Sequence, residues 1–359
     1  MPFSRYMELC LYDPTYGYYS RNAEQFGKAG DFYTSSDVHA VFGRLLARQF
    51  EEMWRALDRP PQIEVLELGP GRGLFARDVL DWSRSKFPDF FAALTFTLQE
   101  SSPALRAKLQ ENLRDHIAAG KATISEGSGV SRIRPPDVPL IIFANEFFDA
   151  LPVEILSSQG KLHLAVENGR VAEVWLSPTA EELEYLDRYS VHPEAGERLE
   201  VPLATQSWAT QAAGAIGRGF LVVIDYGYTH SEQLAGRHRG TLMAYRQHSA
   251  SPDPYQSPGE QDLTAHVNFT ALAATIEQAG MLPQSLITQS QFLLGIGEQT
   301  QFADAFEECR ILQEQAKVAL QLKHLISPEG MGESFRVLVA SRGIEPAKVA
   351  ALSGLRFGR

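Results

Sequence analysis

The stretch Glu67-Leu68-Gly69-Pro70-Gly71-Arg72-Gly73 constrains this chain more than any other. The apolar run Ile63-Glu64-Val65-Leu66 before it reads as a buried strand, and Leu74–Leu80 after it reads as a helix. Three glycines at alternate positions on a strand-to-helix turn let the backbone approach a ligand closely. The helix start then offers unpaired N–H groups to a carboxylate or phosphate. This is the nucleotide-binding turn of an α/β protein, and its spacing excludes two common ligand classes. A dinucleotide fingerprint from Gly69 requires glycine at position 74, which is Leu74. A phosphate loop requires Gly-Lys-Ser/Thr, and no such tripeptide follows.

The remaining pattern, acid-x-Gly-x-Gly-x-Gly, resembles motif I of class I S-adenosylmethionine-dependent methyltransferases. There the glycine turn carries the methionine part of the cofactor, and an acid ending the next strand takes the ribose hydroxyls. Leu94–Gln99 supplies that strand and Glu100 follows it. A tight turn without a ligand is the structural alternative. Glu100, standing where the nucleotide reading needs it, argues against that alternative.

At 359 residues and 44% apolar content, the chain suits one large domain or two moderate ones. No apolar run approaches the roughly 20 residues that cross a bilayer. No signal or transit peptide shows at the start, so a cytoplasmic, bacterial setting is expected. Cys10 and Cys309 lie too far apart for a local metal or redox pair, and no metal is expected. The formal net charge of −11 argues against general nucleic-acid binding.

Residues 1–60 read as an N-terminal cap or lid segment outside the nucleotide fold. In it Leu11–Tyr19 forms an ordered, tyrosine-rich loop, and Gly30–Thr34 a loop that either closes over the cofactor or simply turns. Ser36 or Asp37 caps a helix running through Trp54. Strands are predicted at 63–68, 94–100, 121–125 and 139–145, with helices at 73–86 and 102–118. The alternation predicts a parallel sheet with ligands at the strand carboxyl ends. Residues 153–218 read as an inserted antiparallel and helical subdomain, Asn168-Gly169 being a hairpin turn. The sheet resumes at Phe220–Gly227. Residues 228–268 read as mostly irregular. Helix 269–279, a short strand at 284–288, helical pattern over 291–325 and a closing strand at 334–341 complete the core at 61–152 and 219–345, with 346–359 as a tail.

Leu140–Pro152 is the second informative stretch. A buried strand delivers Asn145, Glu146 and Asp149 to the cleft mouth. Methyl transfer is an in-line displacement, so the protein mainly orients a nucleophile and balances its charge. Carboxylates pair bidentately with a guanidinium and stabilise the cation that forms. A structural turn acid at Glu146 and a helix cap at Asp149 are the alternatives. Tyr226 either lines the substrate face or is a core tyrosine. His248 and His266 read as hydrogen-bonding residues, and the tyrosine cluster 12–19 as packing.

Several segments together resemble one family, the mitochondrial-dysfunction protein A (MidA) family. They are Glu8–Pro14 with Tyr16-Gly17-Tyr18-Tyr19, Gly30–Ser35, the glycine turn, Asn145–Pro152, Asp225-Tyr226-Gly227, Gly240–Arg246, Gln261–Phe269 and Met331-Gly332-Glu333. That family includes a mitochondrial methyltransferase that acts as a complex I assembly factor. The resemblance implies a Rossmann-like class I methyltransferase fold, with a mostly parallel seven-stranded sheet, an N-terminal helical segment and a small antiparallel and helical insertion. It also implies protein-arginine methylation, possible acceptors including a respiratory complex I-type subunit. Two departures stand out. Family members usually carry a helix before the Pro-Phe that here is Pro2-Phe3; either this chain lacks that helix or its start is trimmed, and the two alternatives leave the cover over the cleft open. Asn268 stands where the family more often has Asp, so a carboxylate role there would be lost.

The sequence-based expectation is a methyltransferase that binds S-adenosyl-L-methionine through Glu67, Gly69, Pro70, Gly71, Gly73, Glu100, Ser101 and Asn145, with Tyr33 and Thr34. Glu146, Asp149 and Tyr226 are expected to serve the acceptor. Methylation of a small-molecule oxygen or nitrogen, and a cofactor-binding assembly chaperone without turnover, are the alternatives.

Overall fold

Four apolar runs form the strands that the pattern predicts: β1 Ile63–Leu68, β2 Leu94–Gln99, β3 Ala122–Ser125 and β4 Leu140–Asn145. Every residue of β1 and β2 is buried, as expected of strands covered on both faces. β5 Gly219–Tyr228, β6 Leu282–Pro283 and β7 Phe335–Arg342 complete the sheet in the order β3-β2-β1-β4-β5-β7-β6. Strands β3 through β5 are parallel, while β7 runs antiparallel to both its neighbours. Two short strands, Val267–Asn268 beside β5 and Ile287–Thr288 beside β7, extend the ladder. The mostly parallel seven-stranded sheet is therefore present. The computed structural model describes residues 1–21, 40–127, 129–130, 135, 137–236, 238–246 and 249–358.

Side chains alternate across the sheet into two cores. Val65, Phe143 and Val222 face one core, where Phe75 stacks on Phe143 with ring centroids 4.4 Å apart. Leu66, Ile142 and Val223 face the other, covered by helices Leu203–Ala215 and Phe269–Gln278. Helix Val41–Ala56, read from the N-terminal segment, buries Phe42, Leu45, Phe50 and Met53 in the first core. The preceding stretch behaves differently. Phe3–Tyr12 is a helix, of which only Leu11 and Tyr12 fall in the stretch read as a loop; Phe3, Met7, Cys10 and Leu11 are buried at helical spacing. It packs on Val153, Ile155, Leu162 and Leu164 of the insertion.

The insertion is a four-stranded antiparallel sheet, ordered Arg170–Leu176, Gly160–Glu167, Glu154–Ser157, Leu199–Val201. Helix Ala180–Tyr189 joins it, started by a reciprocal Thr179–Glu182 capping box. Leu199–Val201 was not expected. The irregular reading of 228–268 is also corrected: helix His230–Leu234 and a three-stranded sheet of Met243–Arg246, Ser249–Ser251 and Asp262–Thr264 occupy it. Strands of three or four residues are too short to show a period. The helix predicted over 102–118 breaks at Leu113 into Pro103–Asn112 and Arg114–Ala118. Among the described residues no helix is long and apolar enough to cross a membrane, and no group of three or more His, Cys, Asp or Glu is placed to hold a metal ion.

Candidate active site

The carboxyl ends of β1, β2, β4 and β5 open into one cleft of 1090 Å³. Glu67, Glu100, Asn145, Glu146, Asp149 and Tyr226 all line it, so the residues read from separate strand ends do converge. Parallel strands deliver their ends to the same edge, which is why so distant a set meets.

The glycine turn has the geometry its composition requires. Gly69, Gly71 and Gly73 have φ of +64°, +54° and +73°, the left-handed region that side chains disfavour. Gly69, Pro70 and Gly71 line the cleft. Gly73 is not part of that wall. It precedes helix Leu74–Lys86, and a Cβ there would lie 2.5 Å from Leu109 Cδ2, so its smallness lets helix Pro103–Asn112 pack against the turn.

Two carboxyls face each other behind the turn. Glu67 is 5% exposed, and its Oε2 has no hydrogen-bond partner among the described residues. Burial, then the charge of Glu100, pushes its pKa up to about 8. Burial also lifts Glu100 to about 7, against the N–H groups of Ser102, Gly71 and Ser101 and the Arg106 guanidinium, which favour the charged form. Ser102 N–H donates to Glu100 Oε1 at 2.8 Å, and Ser101 lines the cleft. Asn145 donates from Nδ2 to Glu146 Oε1 at 3.0 Å, while its buried Oδ1 has no partner among the described residues. A glycine cradle, two acceptor carboxyls and orphaned buried oxygens fit a polar ligand carrying hydroxyl and ammonium donors, as S-adenosylmethionine does.

The loop after β4 is organised by a residue that the sequence did not single out as functional. Asp225 is fully buried at the end of β5. Its Oδ2 accepts from the N–H groups of Phe147, Phe148 and Asp149 at 3.3, 2.9 and 3.3 Å, and its Oδ1 from Tyr226 N–H at 2.9 Å. Burial raises its pKa to about 7, against those four bonds. The loop that Asp225 fixes holds Glu146 at φ +51°, a strained conformation for a side chain of its size. Asp149 is buried, with Oδ1 lacking a partner among the described residues. Burial first, then the charges of Asp225, Glu146 and Asp262, raises its pKa well above the usual carboxylate range. No helix follows Asp149, so the capping alternative falls.

Tyr226 lines the cleft with its ring 4.0 Å from that of Phe335. Burial and the charges of Glu146 and Asp149 keep it a neutral phenol. The tyrosine cluster both packs and lines: Tyr12 and Tyr19 stack at 5.6 Å, and both face the cleft. Tyr12 donates to Ala150 O at 2.8 Å and Tyr19 to Asp262 Oδ1 at 2.9 Å. Asp262 and His238 are further cleft residues that sequence reasoning missed. The only local signal, and for Asp262 alone, was the Gln261–Phe269 segment, noted only for resemblance. Asn268 is accounted for structurally: its Oδ1 caps helix Phe269–Gln278 at Ala271 N–H and its Nδ2 donates to Tyr189 O at 2.8 Å. Asp in its place could not make that second bond. Tyr33 and Thr34, with the Gly30–Thr34 loop, the Ser36 or Asp37 cap and His248, lie outside the described residues.

Nine Asp and Glu side chains line the cleft against three Arg and no Lys among the described residues. The fold and this site define an S-adenosylmethionine-dependent methyltransferase of class I. The model of the S-adenosyl-L-methionine-dependent methyltransferase family matches residues 45–287, and the chain belongs to that family. Its cofactor is S-adenosylmethionine. Among its relatives, a Drosophila melanogaster protein named protein arginine methyltransferase NDUFAF7 homolog, mitochondrial, is 30% identical over 96% of this chain and 82% of its own. The human protein arginine methyltransferase NDUFAF7, mitochondrial, is 28% identical over 92% of this chain and 78% of its own. The crystal structure of a Burkholderia thailandensis protein bound to S-adenosyl-homocysteine superposes with a TM-score of 0.82. It shares 29% identity and covers 100% of this chain and 91% of that one.

Proposed function

We propose that this methyltransferase acts on a guanidinium nitrogen of an arginine in a protein. The observation that carries the reading is Glu146 and Asp149 standing together on one Asp225-fixed loop of an acidic cleft. The names of the relatives point the same way. A respiratory complex I-type subunit is the finer proposal for the acceptor, which rests on the resemblance alone.

Bound S-adenosylmethionine supplies an electrophilic methyl group on a sulfonium. Glu67, Asn145 and the backbone at Gly69, Pro70 and Gly71 would hold its amino-acid portion, and Glu100 with Ser101 its ribose. Glu146 pairs with the acceptor guanidinium and fixes the attacking nitrogen in line. Asp149, which burial and its neighbouring carboxylates push toward the protonated form, adds a polar carboxyl behind it that supports the cation by its dipole rather than by a full charge. Tyr226, a neutral phenol, offers a hydrogen bond without adding charge. Glu146→Gln tests the assignment: cofactor affinity should persist within about twofold while kcat falls about 100-fold or more. Unchanged transfer would remove Glu146 from the reaction.

A further inference from the structure

The reading above leaves one product without a place. Acceptor and sulfonium together carry two positive charges. The methylated guanidinium carries one and the thioether none. The new carbon–nitrogen bond uses the nitrogen lone pair, the carbon–sulfur bond breaks with its pair left on sulfur, and one N–H proton must leave. Asp149 is already pushed toward its protonated form by burial, and a proton left on Glu146 would cancel the charge that pairs with the next acceptor.

We infer that His266 and His238 form a proton relay for the transfer, His266 taking the proton from the acceptor nitrogen and His238 passing it on. This rests on the nitrogen-acceptor reading. Both rings line the cleft, and their Nδ1 atoms lie 3.2 Å apart. Two imidazoles meeting Nδ1 to Nδ1 hold one proton between them, because one must donate and the other accept. If His266 is the donor, its Nε2 lone pair is open to a proton. Protonation there lets the Nδ1 proton move across, and the positive charge shifts to His238. Release from either ring then gives the proton to water.

The surroundings suit this use. Tyr226 lies parallel to His266, with centroids 6.3 Å apart, and joins it to the acceptor side of the cleft. Tyr228, also on β5, stacks on His238 at 5.1 Å and 10°. Glu232, on helix His230–Leu234, interacts electrostatically with His238, and Arg336 on β7 bonds Glu232 at 2.8 Å. The Thr241 hydroxyl accepts the His266 backbone N–H at 3.0 Å. His238 sits at φ +54°, so the fold accepts backbone strain to keep its ring against its partner. Burial, then His238, lowers the His266 pKa to about 4, so the ring is neutral at working pH and passes a proton on rather than retaining it.

His266→Gln and His238→Gln test the inference, with cofactor binding followed by calorimetry. For His266→Gln, kcat should fall roughly 10- to 100-fold while the acceptor KM and cofactor affinity stay within about twofold. Added imidazole, or pH raised toward 9, should recover part of the loss. His238→Gln should lose less and displace the kcat–pH profile. The ¹⁵N resonances of the wild-type rings should show one Nδ1–H shared by the pair. Wild-type kcat and pH profile in both variants would overturn the inference, as would a loss that neither imidazole nor pH relieves, or two Nε2–H rings with no shared proton. Failure of the wild type to methylate any nitrogen acceptor would instead sink the functional reading beneath it.

Discussion

Glu67 shows how one buried carboxyl ties ligand binding to stability. Its folded pKa of about 8 lies above the ordinary 4.5. Between those values the native protein keeps a proton that the unfolded chain has lost. This contribution to stability is full below about pH 4.5 and is lost as pH rises through about 8. Glu67→Gln removes the penalty. Without cofactor, the variant should be more stable than the wild type at pH 8.5 by at least about 1 kcal/mol and melt at a higher temperature, each tenfold change in acidity being worth about 1.4 kcal/mol. The gap should close near pH 5, and the variant should bind cofactor at least about tenfold more weakly. Thermal melts at the two pH values, with calorimetric titration, check both. Equal melting at pH 8.5 would count against a neutral buried Glu67. This residue was legible because its signal is local, an acid two places before a glycine in a strand-to-helix turn. Glu100 was legible for the same reason. Asp225, Asp262 and His238 were not, because their partners lie 76–78, 243 and 28 positions away and no local pattern encodes those meetings.

At the scale of elements, the two loops that end β1 and β4 are set by neighbours rather than by themselves. Gly73→Ala would force φ of +73° on a side chain whose Cβ meets Leu109. A loss of about 1–3 kcal/mol is expected from the overlap, measurable in denaturant. Gly120→Ala is the contrast: its φ is +68° but its surroundings are open, so only the backbone cost applies and the loss should be smaller. Asp225→Asn tests the second loop. An amide offers one acceptor oxygen where four N–H groups now bond two, so about 1–3 kcal/mol should be lost. Transfer should fall more than cofactor affinity, because the loop holds Glu146 and Asp149. The long strands and helices of the core were readable, since burial on both faces leaves continuous apolar runs. The strands at Leu199–Val201 and within 243–264 were not, since three or four residues carry no period. Helix Phe3–Tyr12 is legible in its apolar spacing, but the tyrosines and Pro14 drew its last two residues, Leu11 and Tyr12, into the loop reading.

At the scale of the whole molecule, charge and topology agree. The chain carries a formal net charge of −11, and its principal cleft is lined by nine acids against three arginines among the described residues. A cationic acceptor is favoured by the site and by the field around it. Acceptor KM should therefore rise with ionic strength, while kcat at saturation changes little. Steady-state kinetics from low to 0.5 M salt would show it, and an unchanged KM would contradict electrostatic capture. The helix Phe3–Tyr12, the insertion and the sheet domain all contribute to this cleft, through Glu8 and Tyr12, Glu154, and Glu67, respectively. Parts that lie outside the sheet thus line the same cleft as the residues at the strand ends. The most direct measurement is transfer of labelled methyl from S-adenosylmethionine into protein, followed by hydrolysis and amino-acid analysis, with Glu146→Gln beside the wild type. Label recovered as methylarginine, and lost in a variant that still binds cofactor, is the predicted result. Label in another residue, or only in small molecules with protein unlabelled, would contradict it.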